Sequence, residues 1–149
     1  MLFLETQIKK ETLFKIKKNI LNKKLKPCKN LTHTINGFQS ENIIHLFNKN
    51  ILKEIIPFFN LYEKIFHIHY ISYKKNGYQV KHDHYKTEHF SFILFLNNGS
   101  GNTDFIFDNY VYSIKPIKNK LIIFSSNILH FGNKVKTKKQ ILVGAIEKK

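Results

Sequence analysis

From Phe66 onward the chain breaks into short β-rich runs separated by turn residues, and this spacing limits the possible folds more than any other feature. Phe66–Tyr73 is dense in β-branched and aromatic side chains, and Asn76-Gly77 then marks a turn. Further strands are expected at Tyr78–His84, Phe90–Leu96, Thr103–Phe107, Tyr110–Ile114, Lys120–Ser125 and Gln140–Ile146. Asn97-Asn98-Gly99-Ser100-Gly101 and Asp108-Asn109 supply the connections. Many short strands at even spacing imply a sandwich or a barrel.

The chain before this point reads differently. Leu13, Ile16, Ile20 and Leu21 recur at helical spacing, with Lys17, Lys18, Lys23 and Lys24 outside the stripe, and Pro27 closes the segment. Thr32 to Ser40 is a loop or short strand. Ser40 is placed to cap a helix carrying Ile44, Phe47, Ile51 and Ile55, which Pro57 ends. The expected organisation is one domain over residues 1–149, with 1–64 a mainly helical support and 65–149 the β core.

Composition narrows the function classes. A hydrophobic fraction of 42% with 14% aromatics fits a folded protein and not a disordered one. No apolar run approaches the roughly 20 residues that cross a bilayer, and the apolar stretch at Met1–Leu4 is too short for a signal peptide. Cys28 stands alone, so no intrachain disulfide forms, and a cytoplasmic location is the expectation. The formal charge of +15 invites a nucleic-acid reading, but all 25 basic residues are lysine. Arginine is the usual residue for bidentate contacts to guanine and phosphate. The abundance of Lys, Asn, Ile and Phe also follows from A/T-rich codons, so a solvated lysine surface explains the charge without a nucleic-acid partner.

The chemistry concentrates in Gly77-Tyr-Gln-Val-Lys-His82-Asp-His84. Residues two apart on a strand share a face, so His82 and His84 project together while Asp83 turns away. Two imidazoles on one face make a bidentate claw for a borderline metal. The second signal is Pro116-Ile-Lys-Asn-Lys-Leu-Ile-Ile-Phe124-Ser-Ser-Asn-Ile-Leu-His130. It reads as a turn, a buried strand, and a histidine just beyond it that a barrel can fold against the first pair. His67-x-His69 has the claw spacing too, but lacks a matching downstream partner and reads as structural or pocket-lining. Cys28 reads as a small apolar residue, since nothing points to an activating base.

These stretches resemble the small 2-oxoglutarate/Fe(II)-dependent oxygenases of phage and marine bacterial genomes, prolyl-hydroxylase-like members of the cupin-like barrel superfamily. Gly37-Phe38-Gln39-Ser40 is similar to the short element upstream of their core. Gly77 to His84 and Ser91 to Asn97 are similar to the first ligand strand and the strand after it. Pro116 to His130 is similar to the run that carries the distal ligand, and the likeness spans about three-quarters of the chain. The resemblance implies a double-stranded β-helix, or jelly roll, with helices packed outside. It implies Fe(II) held by His82, His84 and His130, with 2-oxoglutarate as cosubstrate. It makes Lys139 the nearest equivalent of the cosubstrate's anchor, while Tyr73 reads either as a hydroxyl donor to the cosubstrate or as a barrel-filling aromatic.

The sequence departs from the family pattern at several positions. The usual His-x-Asp is His82-x-His84 here, which leaves no carboxylate among the three ligands. Glu88, four residues after His84, matches a cupin pattern and is the alternative oxygen ligand. The usual arginine anchor is absent and Lys139 stands nearest to it, a point charge in place of a bidentate fork. Phe95 stands where relatives often place tyrosine, and Asn119 replaces the usual glycine.

Three readings follow. The first is an Fe(II)- and 2-oxoglutarate-dependent dioxygenase that hydroxylates a protein side chain or a small molecule. The second is a cupin-type metalloprotein, three-His or three-His-one-Glu, acting without 2-oxoglutarate. The third is a non-catalytic jelly-roll module that binds a partner or serves a structural role.

Overall fold

A computed structural model describes residues 1–21, 23–27, 33–56, 65–84 and 89–146. The expectations placed on Cys28, Thr32, Pro57 and Glu88 lie outside these residues. Along the chain run β1 (Phe3–Gln7), α1 (Lys10–Leu21), β2 (Thr34–Gln39), a 3₁₀ turn at Ile44–Leu46 and α2 (Lys49–Ile55). After these come β3 (Ile65–His82), β4 (Phe90–Phe95), β5 (Thr103–Phe107), β6 (Tyr110–Ile114), β7 (Lys120–Ser125), β8 (Leu129–Gly132) and β9 (Lys139–Ile146).

The strands join in the order β1-β7-β4-β9-β3-β8-β5-β6, with β2 also pairing to β3. All pairings are antiparallel. β3 is the spine. Its first part pairs with β9 from Ile65↔Ile146 to Tyr73↔Lys139, and its last part pairs with β8 at Gln79↔Gly132 and His82↔His130. One strand thus serves both halves of a curled sheet.

Asn76-Gly77 is not a hairpin turn as its composition suggests. It is a bulge inside β3, where Asn76 takes φ of 66° opposite a second left-handed residue, Asn36 at 50°. The register of β2 on β3 shifts at this point. The Asn36 side-chain amide donates to the Lys75 carbonyl at 2.9 Å. The Asn76 N–H donates to the Val135 carbonyl at 2.7 Å. Asn-Gly supplies φ > 0 equally well for a hairpin and for a bulge, and here outside partners keep the strand going.

Strand alternation sorts the core into two layers. Phe92 and Leu94 of β4, Leu121 and Ile123 of β7, and Leu142 of β9 face the helices, meeting Leu13, Ile16 and Ile20 of α1 and Ile51, Leu52 and Ile55 of α2. Ile93, Phe95, Ile122, Phe124 and Ile141 face the other way, against Phe105 and Ile114. Each such side chain contributes about 2 kcal/mol on burial, which holds the lysine-rich α1 in place. Leu21 does not join the α1 stripe; it is 74% exposed at the helix end.

The expected N-cap also moves. Asn48 caps α2, its side chain accepting from the Ile51 N–H at 2.9 Å. Ser40 instead ties down β3, its hydroxyl accepting from the Tyr70 N–H at 2.9 Å. Residues 1–64 supply two strands as well as helices: β1 zips onto β7 from Phe3↔Phe124 to Gln7↔Lys120. Among the described residues no helix is long and apolar enough to cross a membrane.

Candidate metal centre

His82 and His130 face each other in register across β3 and β8. His130 is on a strand of its own and not on a turn, and it also pairs with Phe105 of β5. His84 sits two residues beyond the end of β3, and Asp83 between the pair is exposed, as the two-residue alternation predicts. The ring centroids of His82 and His130 are 4.3 Å apart, those of His82 and His84 4.8 Å, and those of His84 and His130 5.4 Å. One nitrogen from each of the three lies within 4.8 Å of the others.

Nearby backbone carbonyls set the tautomers of His82 and His130. His82 Nδ1 lies 2.7 Å from the Val80 carbonyl, and His130 Nδ1 lies 2.9 Å from the Ile128 carbonyl. A carbonyl only accepts, so each Nδ1 carries the proton and each Nε2 keeps its lone pair. This is the usual outer hydrogen bond of a metal-bound histidine. Burial lowers the His130 pKa to about 3, with the neighbouring His82 imidazole acting in the same direction. A neutral imidazole is the form that binds a metal ion.

The three imidazoles open into a cavity that His33, His67 and His69 also line. Sequence reading missed His33. It stacks on His82 with ring centroids 4.1 Å apart and planes 8° from parallel, and its carbonyl accepts from the Val80 N–H at 2.9 Å. Only the pairing of β2 with β3 brings it there, so no local motif marks it. His67 and His69 line the cavity as expected, with His69 Nδ1 donating to the Ser40 carbonyl at 2.9 Å.

Lys139 and Tyr73 are register partners on β9 and β3, and each is 2% exposed. The Lys139 ammonium donates to the Gly101 carbonyl at 2.9 Å and to the Thr103 hydroxyl at 3.0 Å. It lies 5.5 Å from the Tyr73 ring centroid and 5.8 Å from that of Phe95. Burial pulls its pKa down to about 8, against a weaker opposing pull from Asp104. Burial likewise pushes the Tyr73 hydroxyl well above its ordinary value, partly offset by its hydrogen bond with Thr34. Both hydrogen-bond acceptors of the buried cation are neutral, an arrangement that is costly unless an anion completes it.

The amine also approaches β8 on the face that carries His130. A Cβ built on Gly132 would lie 3.5 Å from Lys139 Nζ. Gly132 and His130 are two residues apart and both buried on β8, a separation of roughly 7 Å on one face. Thr103 went unremarked in the sequence, although its alternation with buried Phe105 along β5 marks it as inward-facing. Asn119 takes φ of 77°, the left-handed conformation a glycine would adopt in that turn.

No family model matches the chain, and no curated protein matches it. Solved structures do. A 2OG-Fe(II) oxygenase family oxidoreductase from Burkholderia pseudomallei aligns at TM-score 0.75 and 12% identity, covering 97% of this chain and 85% of that one. A prolyl hydroxylase from Trichoplax adhaerens, in complex with a hypoxia inducible factor peptide fragment, aligns at 0.73 and 11%, covering 97% and 83%. The viral collagen prolyl hydroxylase of Paramecium bursaria Chlorella virus-1, in its 2OG complex, aligns at 0.70 and 16%, covering 99% and 96%. At these identities the likeness establishes the fold, a double-stranded β-helix, in agreement with the mainly β chain and its N-terminal helices.

Proposed function

We propose that this chain is an Fe(II)- and 2-oxoglutarate-dependent dioxygenase that hydroxylates a protein side chain or a small molecule. The observation that carries this reading is the convergence of His82, His84 and His130, with His82 and His130 held by nearby backbone carbonyls in the tautomer that offers Nε2. Three neutral imidazoles suit a borderline divalent ion such as Fe(II) and leave coordination positions open. Bound together, Fe(II) and 2-oxoglutarate supply an oxygen-derived oxidant able to hydroxylate an unactivated C–H bond.

The residues present fit the cosubstrate as well. Lys139 offers a cation, and Tyr73 and Thr103 offer hydroxyls, about one five-carbon diacid away from the imidazoles. In this role Lys139 receives the distal carboxylate and Tyr73 donates a hydrogen bond to it. Phe95, Phe105 and Phe124 wall the interior and exclude water. The loss of a tyrosine hydroxyl at Phe95 leaves Tyr73 and Thr103 as the neutral donors.

The buried Lys139 also favours this reading over the cupin one, which gives that residue no task. Anaerobic addition of Fe(II) and then 2-oxoglutarate tests the choice. The expected result is a visible charge-transfer band that requires both components. Metal binding with no such band supports the cupin reading, and no metal binding supports the non-catalytic module.

A further inference from the structure

One flank of α1 carries apolar side chains that the core does not use. Leu13, Ile16 and Ile20 face the sheet, while Phe14 is 71% exposed and Leu21 is exposed at the helix end. Phe14 and Leu21 are seven residues apart, which puts them on one side of the helix and roughly 10 Å apart along its axis. Two grooves follow this flank end to end. The first lies between Leu13 and Phe14 of α1 and Asn98, Ile117 and Lys118, in the connections before β5 and β7. The second lies between Ile20 and Leu21 of α1 and Tyr70, Leu96 and Gln140. Lys17 lines both, so it stands at their junction. The wall facing α1 is held by its own bonds: the Lys118 N–H donates to Asn98 Oδ1 at 2.9 Å, and the Gln140 N–H to Asn97 Oδ1 at 2.8 Å.

The two ends are apolar and the junction is cationic. Ile117 is exposed beside Phe14 at one end, and Tyr70 lines the other with Leu21. Burial and the like charges of Lys118 and Lys138 hold the Lys17 ammonium below its ordinary value. Among the described residues none of these three lysines is in an ion pair. The number of lysines carries no weight here; their placement between two apolar ends does. A carboxylate at the junction relieves the mutual repulsion, and apolar side chains at the ends cover Phe14 and Leu21. A second copy of this chain is repelled by its own charge of +15, and a flat bilayer offers no segment to fill a groove. Beyond the metal-centre reading, and independent of it, we infer that this flank of α1 docks an acidic peptide segment of a partner protein. Its two apolar side chains sit at the groove ends, with carboxylates between them at Lys17, Lys118 and Lys138. In a polyproline-type extended chain, residues three apart share a side and lie roughly 9 Å from each other, which matches the span.

The probe is a fluorescein-labelled peptide, Gly-Leu-Asp-Glu-Leu-Gly, titrated with the metal-free full chain and read by fluorescence anisotropy. It should bind saturably. Lys17→Glu/Lys118→Glu and, separately, Phe14→Ser should each weaken binding by about tenfold or more, with the far-UV spectrum of the wild type. Lys75→Glu/Lys134→Glu changes two exposed lysines outside both grooves and should cost less than about threefold. Replacing both leucines of the peptide by serine should weaken it by about tenfold. The inference is overturned if the probe does not bind, if Phe14→Ser binds as the wild type does, or if the outer lysine pair matters as much as the groove pair. Phosphatidylglycerol vesicles and a short oligothymidylate are titrated in parallel. If either binds in a way that Lys17→Glu/Lys118→Glu abolishes while the peptide does not, the flank serves a membrane or a nucleic acid and the inference is likewise overturned. No metal enters these titrations, so their outcome is separate from that of the Fe(II) and 2-oxoglutarate test.

Discussion

His82 and His130 stand opposite each other on β3 and β8, and each donates its Nδ1–H to the carbonyl two residues back in the chain. This repeated local bond makes the local backbone itself the orienting group for the ring. Removing either imidazole should therefore lower Co(II) or Fe(II) affinity by more than the roughly 10–100-fold that an outer partner costs. His82→Ala and His130→Ala, measured by anaerobic calorimetry, should show this weakening while keeping the far-UV spectrum of the wild type.

The Lys139 site makes a separable prediction. Lys139→Ala should weaken 2-oxoglutarate binding by about 10- to 100-fold, the usual worth of a charged hydrogen bond, and leave metal affinity unchanged. Tyr73→Phe should cost about tenfold or less, as a neutral hydrogen bond does. Because burial pulls the amine's pKa down to about 8, 2-oxoglutarate affinity should fall as pH rises above that value. Calorimetry across pH 7–9.5 reads all three effects.

Burial also links the metal-free fold to pH. His130 drops from 6.5 to about 3. Between these values the unfolded chain holds a proton that the folded chain does not. The stabilising contribution is complete above pH 6.5 and is lost as pH falls toward 3, by on the order of a few kcal/mol. Urea unfolding of metal-free protein at stepped pH should show this decline, and His130→Gln should flatten it.

Two backbone positions test the architecture. A Cβ on Gly144 would lie 2.1 Å from the Phe92 ring, so Gly144→Ala should destabilise by about 1–3 kcal/mol through overpacking. The bulge at Asn76 needs positive φ. Asn76→Gly should be nearly neutral and Asn76→Val should cost about 1–3 kcal/mol in the same urea assay.

Much of this fold was readable in the sequence, for a physical reason. β5, β6 and β7 are short β-rich runs with turn residues at both ends, and their boundaries match the expected ones. β1 and β8 were missed because Phe3–Gln7 holds a single β-branched residue and Leu129–Gly132 none, so neither stands out from a loop. The histidine triad was visible because two members share a strand face and the third follows a distinctive run. His33 was not, since only the pairing of β2 with β3 brings it to the interior. Lys139 could be singled out only by resemblance; nothing local distinguishes it among the chain's 25 lysines.

X-ray absorption at the iron edge of anaerobically loaded protein tests the metal centre most directly. The account predicts three imidazole nitrogens at about 2.1 Å in the wild type and two in His130→Ala at saturating metal. A spectrum with one imidazole or none, or one unchanged by the substitution, would contradict it.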